Sequence, residues 1–431
     1  MQPLAVALLL RVALLAAVST VPAWDGVIYV RAAGQLAAGE GYTLRILHEG
    51  NHPFPTAFYP VGFPAVLAAV RLVGGGLLAD RWLQIFATTA LVPISYLLAR
   101  RTRNRRAGRA AAWAAALWPG GIFLSATWLA EPMFALGVAI SLLPLAYARR
   151  RYRFAALGLA ALGLGLIAYL RASSLPMGVL LGAALGLAWF KRAGAPRRIL
   201  GAAGLAAAVG VIACIPLAPW AYRNAKLLGA PVLVSTNGGV NLLLGTRGDG
   251  GFAPVAADEE CKSQPMREVE RDRCYSRRAV EAIEASPVSW AARGLLKLVH
   301  TYGHESAPAQ CFAEGLGSGS AASREAWKLW ALGLSRLGWL ILLAAAIAGG
   351  CSVAKRATPV CRAVLFAPIA ALAALHMVYL GGDRYHPAVA PMVLALAGIA
   401  FAKLRRRTRP VDAMGPSDTD APDRLAARSS L

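Results

Sequence analysis

The sequence predicts an all-α polytopic membrane protein, and three observations carry that prediction. Of its 431 residues, 57% are hydrophobic and the mean hydropathy is +0.51, where soluble domains are roughly 45–50% apolar. Apolar stretches near the ~20 residues that a spanning helix needs recur along most of the chain. The Lys and Arg residues behind a net charge of +23 sit in short clusters between those stretches. A nucleic-acid binder would gather them on one face of a soluble domain; here they follow the positive-inside pattern of cytosolic loops. Membrane lipids are the expected surroundings, and nucleic acid is not an expected partner.

Candidate spans run over 3–23, 81–99, 108–126, 131–148, 154–171, 174–190, 198–219, 328–349, 363–380 and 387–402. This gives about ten helices of spanning length. Five basic clusters separate them: 100–109 (RRTRNRRAGR), 149–153 (RRRYR), 191–198 (KRAGAPRR), 355–362 and 403–409 (KLRRRTR). Placing all five in the cytosol lets the spans alternate without conflict. It also requires that the apolar stretch 62–78, which holds Arg71 and three consecutive glycines, lie at the membrane face as a juxtamembrane or re-entrant helix. Residues 1–219 then form a transmembrane module with a first outer loop at 24–80. Residues 220–327 form a small outer domain, and 328–402 the C-terminal transmembrane helices. The polar stretch 403–431 forms a cytosolic tail without apolar periodicity, expected to be disordered. The first span has a second reading as a cleavable signal, since Val21-Pro22-Ala23 is tolerable at a cleavage site. Arg11 inside the run, and the lack of Lys or Arg before it, favour a permanent span.

Motifs for soluble chemistry are missing. The 6 cysteines form no CxxC pair, and the chain holds no Walker loop, no HExxH and no GxGxxG after a strand. No cofactor is called for with certainty, and nothing specifically supports a divalent cation.

The residues that could carry chemistry fall at the outer ends of the spans. Asp25 follows the first span in W-D-G-x-x-Y. A carboxylate at a membrane face can act as a general base, because partial desolvation raises its proton affinity. On spacing alone, an N-cap is the plainer reading of Asp25. Glu131 opens Glu131-Pro132 at the same membrane level, as a ligand-facing acid or as an ordinary first-turn Glu before Pro. Arg171, Arg223 (with Asn224) and Arg384 (in G-G-D-R-Y-H-P) run against the positive-inside trend. Each alone reads as snorkelling to headgroups; several at one level point to an anionic ligand, since Arg grips phosphate through charge-assisted bonds. Ser235–Asn241 reads as a strand and turn, either a structural loop or a binder of sugar hydroxyls. His300, His304 and Glu305 lack metal-ligand spacing and read as surface residues. Cys261 and Cys274 lie in the outer segment with Cys311, where an oxidising compartment permits a disulfide. Sequence does not fix the pairing. A 261–274 bridge is the expectation, closing a loop of about 15 residues worth roughly 3 kcal/mol in the chain-entropy model.

An ordered set of short motifs then carries a family resemblance. The set is Asp25/Tyr29 with Gly39-Glu40-Gly41-Tyr42, Tyr59-Pro60-Val61-Gly62-Phe63-Pro64, Glu131-Pro132, Arg171, Pro219-Trp220-Ala221-Tyr222-Arg223-Asn224 with 235–241, and Arg384-Tyr385-His386-Pro387. In that order and spacing the chain resembles the GT-C fold membrane glycosyltransferases, bacterial relatives of the protein O-mannosyltransferases and of the lipid A aminoarabinose transferase. The resemblance covers most of the chain. It implies an inverting transfer of a sugar from a polyprenyl-phosphate donor to an acceptor hydroxyl on a glycan, lipid or protein, at the outer face of the plasma membrane. Asp25 would be the catalytic carboxylate. Glu131, Tyr29, Tyr59, Arg171, Arg223, Asn224, Arg384 and Tyr385 would bind substrate. Many relatives carry a second acid beside the first; the neighbour here is Gly26, which counts against a paired-acid or metal-binding loop. The competing reading is a transporter or lipid flippase, which would place its polar residues near the midplane between internal repeats. No such repeat is visible in the sequence.

Overall fold

The computed structural model describes residues 2–43, 54–251, 261, 267–317 and 320–407. Of the tail expected over 403–431, residues 403–407 belong to the last helix, Ala390–Arg407, and the rest lies outside the described residues. Its helices follow the apolar stretches with shifted ends. They are α1 (Gln2–Ala17), α2 (Asp25–Ala37), α3 (Gly62–Leu72), α4 (Leu77–Thr102), α5 (Arg105–Leu117), α6 (Pro119–Leu124), α7 (Glu131–Tyr147), α8 (Arg153–Ala168) and α9 (Ser174–Trp189). There follow α10 (Ala195–Cys214), α11 (Ala218–Leu228), α12 (Gly238–Leu244), α13 (Glu268–Ala285), α14 (Pro287–Tyr302), α15 (Ala307–Glu314), α16 (Ala321–Arg356), α17 (Pro359–Val378) and α18 (Ala390–Arg407). Among the described residues, 6 helical segments are long and apolar enough to cross a membrane by length and composition, and 4 shorter apolar helices accompany them. The all-α polytopic class therefore holds.

Three departures have physical causes. The stretch expected as one span over 108–126 breaks at Trp118, because Pro119 has no N–H to continue the ladder and starts α6 at its first position. The first span is shorter than expected: α1 ends at Ala17, and extended chain leads to Asp25. No strand forms at 235–241. Ser235 Oγ bonds Asn237 Oδ1 at 2.9 Å, and the glycines after it open α12. The reading of 62–78 as non-crossing agrees with α3, whose 11 residues reach only about 16 Å.

Burial ranks the helices. Within its most apolar window α18 is 78% buried, whereas the segment containing α10 is 17% buried, so α18 is the hub and α10 faces lipid. The hub is possible because its backbone approaches α5 closely: a Cβ on Gly398 would collide with the backbone of Ala111. Without a hydrophobic drive between helices in lipid, such small-residue contacts carry much of the packing. Buried charges pin the rest. Arg11, 1% exposed, donates to Thr88 Oγ1 at 2.9 Å and to the Ala7 carbonyl at 2.9 Å, tying α1 to α4. Asp80, fully buried, pairs with Arg71 and accepts from Trp128 Nε1 at 3.2 Å. This holds α3 and α4 against the segment before α7.

Outside the bundle, α12 and α13 share a small apolar cluster that includes the Cys261–Cys274 disulfide (Cα–Cα 5.9 Å), the pairing expected above. By contrast, α14 lies on α17, and α15 on α16 and α6.

Gly398→Val should force α5 and α18 apart, an overpacking cost of about 1–3 kcal/mol. The expected readout is a lower thermal-aggregation midpoint of the purified protein in detergent. An unchanged midpoint would show that this backbone contact does not hold the hub.

Candidate functional site

One end of the bundle collects four ionised side chains from segments far apart in sequence. Asp25 is the first residue of α2, Glu131 the first of α7, Arg171 follows α8, and Arg384 sits in the turn after α17. Asp25 Oδ2 pairs with Arg384, and its Oδ1 accepts from the Tyr59 hydroxyl at 3.2 Å. Glu131 pairs with Arg171 and lies 3.6 Å from Arg384. The four form a continuous acid–base chain.

Local structure aims each group. Trp24 has φ 54°, the one non-glycine with positive φ among the described residues. Such a backbone costs of order 1–3 kcal/mol and persists only where the surroundings impose it. Its indole Nε1 donates to Glu314 Oε2 at 2.6 Å. Immediately after Asp25, a Cβ on Gly26 would meet Trp128 Cβ at 3.0 Å and the Trp128 carbonyl at 3.1 Å. A side chain at position 26 would fit only if Trp128 moved by a few tenths of an ångström.

The N-cap reading of Asp25 does not hold. The cap position of α2 is Trp24, and the Asp25 carboxylate is taken up by Tyr59 and Arg384. The expected rise in proton affinity is also reversed. Burial pushes the Asp25 carboxyl up, but Arg384 and Arg171 outweigh it and hold the carboxyl below its ordinary range. Tyr29 and Tyr59 shift the other way, pushed up by burial and by the Asp25 charge, so both phenols remain donors. Tyr29 is 4% exposed and packs edge-on to Tyr59 and Phe63, with centroids 5.7 and 5.4 Å apart.

Tyr385 is the floor under both arginines, whose guanidinium carbons lie 5.5 Å (Arg171) and 5.6 Å (Arg384) from its ring centre. Its other contact is a stack on His376 at 4.1 Å. Three buried polar atoms of the cluster have no hydrogen-bond partner: Glu131 Oε2, Arg171 Nε and Arg384 Nε. The two arginine Nε–H groups are donors left open in a way that suits an anionic ligand, whereas Glu131 Oε2 is an acceptor.

Two expected ligands stand elsewhere. Arg223 donates to the carbonyls of Thr56 (2.8 Å) and Tyr42 (2.9 Å) and to Asn224 Oδ1, while Asn224 Nδ2 bonds the Val232 carbonyl. Among the described residues, neither meets the four-charge chain. Arg223 thereby braces the loop between α2 and α3, as does Glu268, which accepts from Thr56, Ala57 N and Thr236, whereas Asn224 ties α11 to the segment that follows it.

The reading of Glu305 as a surface residue is overturned. Its carboxylate is fully buried, accepting from Trp118 Nε1 at 2.9 Å and Ser335 Oγ at 2.8 Å and bonding His386 Nε2 at 3.0 Å. His386 is stacked under Trp339 at 3.8 Å, and its Nδ1 lies 2.8 Å from the Thr301 carbonyl. Asp383 accepts from Ser306 N and from Ala307 N. The turn carrying Arg384 is therefore anchored on both sides. The signal in the sequence was His386, two residues past Arg384; its partner came from 81 residues away.

The site carboxylates do not make a cation cage, because each is paired with an arginine and position 26 is glycine. Among the described residues, no group of three His, Cys, Asp or Glu side chains could hold a metal ion.

No family model matches this chain, and no curated protein matches it in sequence. Solved structures do. The archaeal oligosaccharyltransferase AglB from Archaeoglobus fulgidus, in complex with an inhibitory peptide and a dolichol-phosphate, superposes with TM-score 0.52 at 15% identity, covering 94% of this chain and 50% of AglB. The apo form of the Archaeoglobus fulgidus oligosaccharyltransferase gives TM-score 0.52 at 12% identity with the same coverage. ArnT from Cupriavidus metallidurans bound to undecaprenyl phosphate matches at TM-score 0.40 and 13% identity, over 93% of this chain and 77% of ArnT. The chain spans about half the length of the AglB chains it matches. At these identities the likeness is one of fold: the chain has the GT-C membrane architecture that its motifs resemble.

Proposed function

We propose that this protein is an inverting glycosyltransferase that moves a hexosyl or pentosyl unit from a polyprenyl-phosphate donor to a hydroxyl of a glycan, lipid or protein, at the outer face of the plasma membrane. The observation that carries the reading is the meeting of Asp25, Glu131, Arg171 and Arg384 at one end of a GT-C bundle. The AglB structure, with dolichol-phosphate bound, suggests the donor class.

In this reaction Asp25 accepts the proton of the acceptor hydroxyl as that oxygen attacks the anomeric carbon. The bond from that carbon to the phosphate oxygen breaks, and its electron pair leaves on the lipid phosphate. Arg384 and Arg171 stabilise the charge that develops there. The resting carboxylate is a weak base because Arg384 holds it. A donor phosphate drawing Arg384 onto itself returns basicity to Asp25 at the moment it is needed.

The outward placement rests on the basic clusters, which all fall at the helix ends opposite this site, and on the Cys261–Cys274 disulfide, a bond of oxidising compartments. Against the transporter reading stands the gathering of paired charges at one end of the bundle, where a transporter would place them near the midplane.

Asp25→Asn should insert and bind donor normally yet lose about 10²–10⁴-fold in transfer rate, measured with polyprenyl-phosphate sugars in membranes. Near wild-type turnover would make Asp25 structural. Arg384→Ala should weaken donor binding by roughly ten- to a hundredfold, the worth of a charge-assisted hydrogen bond of about 1.5–3 kcal/mol. A pH series separates the two states of the site. The acid limb of kcat/KM reports the free enzyme and should lie below about 3.9, the ordinary Asp value, since activity is lost only as pH falls through the depressed pKa. The limb of kcat reports the donor complex and should lie higher. Coincident limbs would show that donor phosphate does not engage Arg384. For orientation, accessibility tags within 267–317 should report outside and tags within 101–109 inside. A cytosolic signal from 267–317 would invert the site.

A further inference from the structure

The two basic clusters at 191–198 and 355–362 mark topology in the sequence, but the fold brings them to one groove. The groove has a volume of about 490 Å³ and runs between α9 and α17. One wall is the α9 face Leu180, Ala184 and Leu187; the other is the α17 face Ala363, Phe366 and Ala370. Each triplet covers eight residues at helical spacing, about 10 Å of apolar wall from end to end. Leu180 and Leu187 are 36% and 40% exposed, so the wall opens on the flank that faces lipid. Lys191, Arg198 and Arg362 line the mouth, and no Asp or Glu joins the lining among the described residues. This end is opposite the candidate active site. Arg171 precedes α9 and Arg384 follows α17, whereas Lys191 follows α9 and Arg362 lies in the first turn of α17.

We propose that this groove is a binding seat for an anionic phospholipid of the inner leaflet, with its phosphate among the three cations and its acyl chains along the α9 and α17 walls. The donors for the phosphate are open. Arg198 spends Nε on the Leu187 carbonyl at 3.0 Å and Arg362 one NH on the Ala354 carbonyl at 3.2 Å, which leaves the rest of each guanidinium unspent. Lys191 has no partner among the described residues. Two helix N-termini, α10 at Ala195 and α17 at Pro359, add partial positive charge at the same level. The occupant is a lipid and not a soluble anion, because a free phosphate would leave the apolar walls unfilled. It is anionic and not zwitterionic, because the mouth offers cations and no carboxylate for a choline or ethanolamine head.

The test is native mass spectrometry of the full chain in neutral detergent, titrated with phosphatidylglycerol, phosphatidylcholine or inorganic phosphate. The wild type should retain phosphatidylglycerol at least tenfold more tightly than phosphatidylcholine. Changing Lys191, Arg198 and Arg362 together to Gln should abolish that preference. Ala370→Trp, which fills the groove from its exposed wall and leaves every charge in place, should weaken phosphatidylglycerol by a similar factor. It also serves if the triple change prevents folding. Equal retention of the two lipids, displacement of phosphatidylglycerol by inorganic phosphate alone, or unchanged retention by the Ala370→Trp protein would each overturn the proposal. The measurement reads no sugar transfer, so it stands or falls apart from the activity proposed above.

Discussion

The contact between Asp25 and Arg384 joins residues 359 positions apart, and the geometry of that end of the bundle depends on it. One partner opens α2; the other lies in the turn after α17. Neither side chain is deeply sealed, at 17% and 22% exposed. Attraction between unit charges in such partly dry surroundings is several times stronger than in water. Glu131 and Arg171 extend the contact into a chain of four alternating charges, so no member is an isolated ion near the membrane. Much of the neighbouring structure holds this chain still: the strained Trp24 backbone, the Gly26–Trp128 approach, and the Glu305–His386 anchor two residues past Arg384.

That anchor shows how a polar core inside an apolar protein can serve precision. Glu305 is wholly buried, and each of its contacts comes from a different element: Trp118 before α6, Ser335 on α16, His386 after α17. A buried carboxylate with its partners satisfied rigidifies its surroundings. The short turn 381–386 thereby gains the fixity of the helices around it. α16 is the backstop. Its 36 residues make about 54 Å of helix, well beyond the ~30 Å of a hydrocarbon core, and it carries Ser335, Arg336 and Trp339 against Glu305, Ser306, Tyr302 and His386.

The sequence revealed the fold class and the four charged residues that the fold gathers at one end, for reasons visible in particular residues. Spanning helices announce themselves through length and hydropathy, which are local properties, and the charge clusters order them. Asp25, Glu131, Arg171 and Arg384 stood out because charge is costly beside a membrane. What sequence could not reveal is where side chains end up in three dimensions. Arg223 is bonded to the carbonyls of Tyr42 and Thr56, contacts across more than 160 residues that no local pattern announces. Glu305 looked exposed in a polar stretch because Trp118, Ser335 and His386 are distant in the chain. The apparent strand at 235–241 failed because β-propensity is overridden when the neighbouring segments are helices with no edge to pair with.

The four-charge chain has equal numbers of acids and bases, and this balance bears on turnover. In the proposed reaction a phosphodiester donor brings one negative charge to a neutral site. When the sugar leaves, Asp25 has become neutral by taking a proton, and the site itself has gained one positive charge. The departing lipid monoester carries nearly two negative charges at neutral pH. The sum is almost the same before and after. Charge is moved by a few ångströms and hardly at all created or discharged, so the low-dielectric surroundings have little to reorganise. The proton on Asp25 then has a basic phosphate oxygen close at hand, a path by which the carboxylate can be reset without recruiting a buffer from solution.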